Sequence, residues 1–321
     1  MRNFDLVASA RWRWWRYCVN LSRIINIIIF ISVGALMHGL VDLHIHSRCS
    51  DGFYTPEQLV AKAASAGVLA LSVCDHDNID GVRSARHVGN ERGVHVLSGV
   101  ELSCVWGDFH DVHLLGYGFD IDNEPLCKAL EGFQQFRQQR NRRIVDKINT
   151  VLSGSGRELL DFDRVRARAD GAVGRPHIAL ELIRLHHVST VEEAFNRYLI
   201  PCNIPKRFFP IDEAIAMIND AGGVAVLAHP PYITRDQPSM QRLLDELLEV
   251  GLQGIEVYNN GASCAEIEWY LTQARLRRLL VTGGSDFHGI EDGGAELGKV
   301  RAIGAIPYGC FENLQQLLSN G

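Results

Sequence analysis

From residue 40 onward, short runs of β-branched and aliphatic residues alternate with stretches of helical period. Thr55-Pro56-Glu57-Gln58 predicts a helix start, with Thr as cap, Pro in the first turn and Gln placed to reach back to the cap. Gly67 predicts its end. Strands are expected over residues 68–73, 94–100 and about 112–115, with a helix over about 80–92. Past Asp122 the character changes: E-G-F-Q-Q-F-R-Q-Q-R-N-R-R-I-V-D-K-I reads as a long polar helix, with further helices to about residue 199. The alternation then resumes, with helices over 211–219, about 240–250 and 263–275, and strands over 224–228, 254–257 and 279–282. This is a βα repeat interrupted by a helical insertion. It predicts an α/β barrel formed by residues 38–122 and 210–321, with residues 123–209 as the insertion.

The chain has 321 residues, enough for a barrel with an insert. Its formal net charge of -6 gives no sign of a surface that coats nucleic acid, so no stable DNA complex is expected. Any nucleic-acid substrate would need a local basic patch. The cysteines stand singly, without C-x-x-C spacing, which suggests reduced thiols and a cytoplasmic setting. Near the start, R-W-R-W-W-R precedes an apolar run from Ile24 to Met37. That run is short for a membrane span, is followed by no A-x-A pattern, and reaches the first strand without a linker. Residues 1–37 are therefore read as an extension from an over-extended gene start, with a membrane anchor as the alternative. A membrane partner is expected only if that extension is real.

Polar chemistry gathers at the predicted strand ends. In V-D-L-H-I-H-S-R-C-S-D-G, His44 and His46 lie two residues apart, on one face of a strand, with Asp51 beyond them. Alone, such a pair is as well explained by two surface histidines as by two metal ligands. The later strands end at Asp75, His76 and Asp77, at Glu101, at His229, and at Asp286 and His288, and the strand around 112–115 carries His113. In a barrel of βα units the C-terminal strand ends open onto one face, which would bring these residues to one rim. His44, His46, Asp51, His76, Glu101, His113, His229, Asp286 and His288 are too many ligands for one ion and suit two or three. Imidazole and carboxylate without thiolate favour Mn, Fe or Zn over Ca or Mg. In the insertion, Gly174-Arg175-Pro176-His177 opens a helix and is a candidate anion site. Arg137, Arg140 and Arg143 recur every three residues and are candidates to follow an RNA backbone. Trp106, Tyr258 and Asn259 are candidates to line a base pocket. His87, His95, His110, His186 and His187 read as ordinary surface or core residues.

The combination H-I-H, S-D-G, C-D-H-D, G-V-E, H-L-L-G, L-A-H-P and G-S-D-F-H resembles the PHP (polymerase and histidinol phosphatase) family. That resemblance implies a distorted seven-stranded βα barrel with a trinuclear metal site. The insertion resembles the branch of 3′,5′-nucleoside bisphosphate phosphatases that includes ribonuclease AM, a 5′-to-3′ exoribonuclease. Carried over by motif, His44, His46, Glu101 and Asp286 would hold one metal, with manganese expected first. Glu101, His113 and His229 would hold a second, and Asp51, His76 and His288 a third, Glu101 bridging the first two. Glu101 and His288 would be the catalytic residues, with His288 or a bound water as the source of the leaving-group proton, and Asp75 and Asp77 would support the ligands. Arg175 and His177 would grip the substrate's second phosphate. Lys206 or Arg207 would replace a lysine that relatives carry in a Gly-Lys-Pro element. The implied substrate is a nucleoside bisphosphate or a 5′-phosphorylated RNA end. Histidinol phosphate is the runner-up, and an amidohydrolase-like activity or a non-catalytic scaffold are the rivals.

Overall fold

A computed structural model of the chain describes residues 39–167, 173–289 and 294–320. The reading of residues 1–37 lies outside the described residues. Among the described residues no helix is long and apolar enough to cross a membrane.

The chain starts with β1 (Leu40–Ile45), α1 (Pro56–Ser65), β2 (Val68–Val73), α2 (Val82–Arg92), β3 (His95–Trp106) and β4 (Phe109–Tyr117). The α1 cap is the reciprocal one the sequence predicts: Gln58 N–H donates to Thr55 Oγ1 at 3.3 Å, and Thr55 N–H donates to Gln58 Oε1 at 3.1 Å. There follow α3 (Glu124–Gly154), α4 (Phe162–Ala167), α5 (Arg175–Arg184), α6 (Val191–Ala194) and a π-helical turn at Phe195–Leu199. The βα alternation returns with β5 (Phe209–Pro210), α7 (Ile211–Asp220), β6 (Val224–Leu227), α8 (Gln237–Glu249), β7 (Gly254–Tyr258), α9 (Cys264–Arg277) and β8 (Leu280–Gly283). A small ribbon, β9 (Lys299–Val300) with β10 (Gly304–Ala305), leads to α10 (Gly309–Asn320).

The main sheet runs β1-β2-β3-β4-β6-β7-β8, with β5 added beside β3. Pairing is parallel except around β4, which is antiparallel to both β3 and β6. The sequence places two short strands here, but the structure joins them as a long hairpin turning at Gly107 and Asp108, where Trp106 pairs with Phe109. His113 therefore reaches the rim from within a descending strand and not from a C-terminal end.

The ring closes between its first and last strands. Asp286 N–H donates to the His44 carbonyl at 2.8 Å and His46 N–H to the Phe287 carbonyl at 2.9 Å, while Ile45 and Phe287 form a parallel bridge. Gly284 permits this approach: a Cβ there would fall 2.1 Å from His44 Cβ. The fold is thus the expected distorted βα barrel, joined by a short seam at its rim.

The main core, on both faces of the strands, includes Leu43, Leu102, Leu114, Leu115, Val226 and Ile255, all fully buried. Helix α3 belongs to two cores. Its first half buries Leu126, Leu130 and Phe133 against the barrel. Its second half buries Ile144, Val145, Ile148 and Leu152 in a separate cluster with Val165, Ile178, Leu182, Tyr198 and Leu199. Arg140 sits between the two. Its Nε donates to the Ile204 carbonyl at 2.6 Å and its Nη2 to Asn203 Oδ1 at 3.0 Å, which ties the helix to the segment leading back to the barrel.

Candidate active site

At the rim, His44 and His46 leave β1 on the same side, as the strand period requires, with their Nε2 atoms 3.1 Å apart. Glu101 Oε2 lies 3.4 Å from His44 Nε2 and 3.3 Å from His46 Nε2. Asp286 Oδ1 lies 3.6 and 3.1 Å from the same two nitrogens. The other oxygen of Glu101, Oε1, is 2.9 Å from His113 Nδ1 and 2.9 Å from His229 Nε2. A third group forms around Asp51, with Oδ1 at 3.3 Å from His288 Nε2 and Oδ2 at 3.7 Å from His76 Nε2. All nine candidate ligands, from segments up to 244 positions apart (288 - 44), thus converge on one cluster. Its donor atoms group closely enough to hold metal ions, for example at His46, Asp51, His76 and His288.

The turns that carry these residues are themselves held by carboxylates. Asp75 accepts from Ser47 N–H at 2.7 Å and from Ser50 Oγ at 2.6 Å, bracing the turn that ends at Asp51. Asp77 accepts from Ser103 N–H at 2.8 Å and Oγ at 3.0 Å, fixing β3 just beyond Glu101. Asp77, Asp111, His229 and Asp286 all have positive φ (51°, 59°, 22° and 55°), a costly backbone state for residues with a Cβ. Three of them are cluster residues or hold its strands.

Two further residues escape the sequence reading. Glu256, fully buried, has Oε1 3.0 Å from His44 Nδ1 and accepts the His229 N–H on Oε2 at 2.7 Å. It fixes the His44 ring with Nε2 toward the cluster. Asp42 accepts from Ser285 N–H at 2.8 Å and from Gly298 N–H at 2.7 Å, holding the seam. The available signal was a charge inside an otherwise apolar strand, in I-E-V and V-D-L, since a buried carboxylate is costly unless it has partners.

A cleft of about 660 Å3 opens from the cluster toward the insertion. Asp51, His76 and His113 line it, as do Arg137, Arg175, His177, Lys206 and Arg207. Arg175 lies over the Phe195 ring at 5.4 Å and Arg207 over Phe133 at 4.5 Å, while Lys206 Nζ pairs with Asp111 Oδ1 at 3.0 Å. His177 Nδ1 accepts the Gly174 N–H at 3.0 Å and closes the α5 start. The arginine row expected to follow RNA does not act as a unit, because Arg140 is spent on backbone and Asn203. The expected base pocket also fails. Tyr258 is buried in the barrel core, Asn259 bonds within its own turn, and Trp106 Nε1 donates to Glu246 at 2.7 Å.

A model of the PHP domain matches residues 42–257. The chain belongs to the PHP domain family. This PHP domain is 31% identical over 272 residues to a 3′,5′-nucleoside bisphosphate phosphatase of Chromobacterium violaceum, covering 83% of this chain and 93% of that protein. It is 32% identical over 261 residues to a 5′-3′ exoribonuclease of Haemophilus influenzae, covering 80% of this chain and 93% of that one. A protein described as a metal-dependent phosphoesterase from Bifidobacterium adolescentis superposes with a TM-score of 0.71 at 30% identity, over 86% of this chain and 95% of its own. The PHP domain described here is a metal-dependent phosphoesterase.

The donors of this PHP domain fit metal ions. His76 Nδ1, Glu101 Oε2 and His229 Nδ1 are buried without hydrogen-bond partners. His76 Nδ1 and Glu101 Oε2 approach to 3.0 Å, yet in a geometry that makes no hydrogen bond. Burial pushes the His46 imidazolium down, but Asp286 and Glu101 outweigh it and hold the ring up at about 10. His113 is held up to about 10 in the same way, burial opposing and Glu101 and Asp111 prevailing. Burial raises the Glu101 carboxyl, but the His113, His76 and His44 imidazoles hold it well below the usual range. The cluster is thus a concentration of negative charge that needs cations, either protons or metals.

Glu256→Gln is expected to weaken metal binding by about 10- to 100-fold, since it removes the charge that orients His44. Calorimetric titration of the metal-free protein with Mn2+ measures this, and an unchanged affinity would show that Glu256 does not orient the ligand.

Proposed function

We propose that the chain removes the 3′-phosphate from nucleoside 3′,5′-bisphosphates and trims RNA from a 5′-phosphate end by the same geometry. The observation that carries this is one cleft lined both by cluster residues, Asp51, His76 and His113, and by a basic set, Arg137, Arg175, His177, Lys206 and Arg207. A substrate with two phosphates joined by one ribose spans such a cleft. A nucleoside bisphosphate and the first nucleotide of a 5′-phosphorylated RNA share that unit. Histidinol phosphate has one phosphate and would bring an ammonium group to the basic set. An amidohydrolase site would be expected to bridge its metals with a carbamylated lysine, but the residue between the two groups here is Glu101.

In this reading two or three divalent ions, manganese first and iron or zinc as alternatives, would be held by His44, His46, Glu101 and Asp286, by Glu101, His113 and His229, and by Asp51, His76 and His288. When bound, such ions supply an activated water and offset the charge of the phosphoryl oxygens. The chain's own residues do the rest. Glu101 places one oxygen in each of two groups and fixes their spacing. Glu256, Asp42, Asp75 and Asp77 keep the donors from turning away. Arg175, His177 and Arg137 hold the non-reacting phosphate, so that the scissile one is presented to the cluster. His288 suits the role of ligand better than that of acid. Its Nδ1 lies 3.0 Å from the Asp286 carbonyl, to which an N–H donates, and this turns Nε2 toward Asp51 as a ligand. Residues 123–209 act as a cap that supplies the second phosphate site. The reduced single cysteines fit a cytoplasmic enzyme.

The test is to compare kcat/KM of the Mn-loaded protein on adenosine 3′,5′-bisphosphate, a 5′-phosphorylated oligoribonucleotide and histidinol phosphate. The first two are expected to exceed the third by at least about 100-fold, the equivalent of ~2.7 kcal/mol of transition-state binding. Equal or greater activity on histidinol phosphate rules the proposal out.

A further inference from the structure

We propose that Tyr232 is the stacking platform for the nucleobase that follows the scissile phosphate in an RNA substrate. The inference rests on the exoribonuclease activity proposed above. With the 5′-phosphate among Arg137, Arg175 and His177, and the next phosphate at the cluster, the remaining RNA must continue past the cluster, away from the cleft. Tyr232 lies three residues after His229 in the chain and packs against its ring, and neither residue is among those lining the cleft.

The ring is both exposed and fixed. Tyr232 is 63% exposed, yet its ring meets that of His229 edge-on, with centroids 5.3 Å apart and planes at 65°. Its far end lies close to the backbone at Gly261, where a Cβ would fall 2.9 Å from Tyr232 Cζ, so a larger residue there would displace the ring. The Tyr232 N–H donates to the His229 carbonyl at 3.0 Å, and the buried Pro230 and Pro231 stiffen the turn beneath it. A large exposed aromatic surface held rigid beside a phosphate-processing centre loses little entropy on binding, and stacking accepts any base. His229 lies 2.9 Å from Glu101, so a base stacked on Tyr232 is one residue removed from the reacting phosphate. Among the described residues the other strongly exposed aromatic, Phe53, follows the turn of residues 48–52 that lines the cleft and so belongs to the first nucleotide's side.

A nucleoside 3′,5′-bisphosphate has nothing beyond its 3′-phosphate to stack, whereas an oligonucleotide does. The test compares kcat/KM on a 5′-phosphorylated tetraribonucleotide with that on adenosine 3′,5′-bisphosphate, for the Mn-loaded wild type, Tyr232→Ala and Tyr232→Phe. The same tetranucleotide with an abasic second residue is measured alongside. Tyr232→Ala is expected to lower the RNA-to-bisphosphate ratio about tenfold, mainly through KM, and Tyr232→Phe to preserve it. The abasic substrate should lose a similar factor on the wild type and nothing more on Tyr232→Ala. An unchanged ratio in Tyr232→Ala, or equal loss on both substrates with no abasic effect on the wild type, overturns the inference while the phosphatase assignment stands. A wild type that hydrolyses the bisphosphate and leaves RNA intact removes the exoribonuclease activity, and this inference with it.

Discussion

Glu101→Gln is expected to lower kcat/KM on adenosine 3′,5′-bisphosphate by about 10⁴-fold, or ~5.5 kcal/mol of transition-state stabilisation. The substitution keeps the volume and shape of the side chain. It removes the one charge that touches two groups of imidazoles, through Oε2 on His44 and His46 and through Oε1 on His113 and His229. It also points an NH2 at a ring nitrogen that needs an electron-pair partner. Both groups should lose affinity together, so the loss should appear in metal content, measured by elemental analysis after gel filtration, as well as in phosphate release. A variant with full metal content and activity within about tenfold of wild type would show that Glu101 does not join the two groups. A circular dichroism melt of the metal-free protein controls for unfolding.

Arg175→Ala is expected to lower kcat/KM on the bisphosphate by about 100-fold, while leaving hydrolysis of a simple aryl phosphate, which has no second phosphate, nearly unchanged. The cause is a concentration of like charge. Burial, together with the Arg175 and Arg137 guanidiniums, pushes Arg140 down to about 10. Three guanidiniums this close repel one another unless an anion lies among them. Arg140 is committed to the Ile204 carbonyl and Asn203, so Arg175 and Arg137 are the pair that can turn to a phosphate. Equal losses on both substrates would place Arg175 in the support of the cluster and not in the phosphate grip.

Much of the site was legible because ligands at strand ends obey a simple rule: strand period and barrel topology dictate direction. His44 and His46 follow from alternation, and His229, Asp286 and His288 from the ends of β6 and β8. His113 follows from its motif but not from that rule, since the hairpin turn at Gly107 reverses its strand. Glu256 and Asp42 were missed because they sit inside strands, where an alternating pattern marks a face but does not say which face meets a ligand. The base-pocket candidates failed for a similar reason: Tyr258 and Asn259 end a strand, but the chain turns them inward to fill the core and close their own turn. Arg140 shows the limit of helical spacing. Three arginines on one stripe look equivalent until a neighbouring loop consumes one of them.

The seam that joins β1 to the segment after β8 has a consequence for biosynthesis. The last donors, Asp286 and His288, leave the ribosome long after His44 and His46, and they arrive on the stretch whose backbone closes the ring. A nascent chain ending near residue 280 has neither the seam nor those donors, so its ring is unjoined and its cluster incomplete. A growing polypeptide therefore gains its full donor set only in the step that also closes the ring, once residues 286 to 288 have emerged.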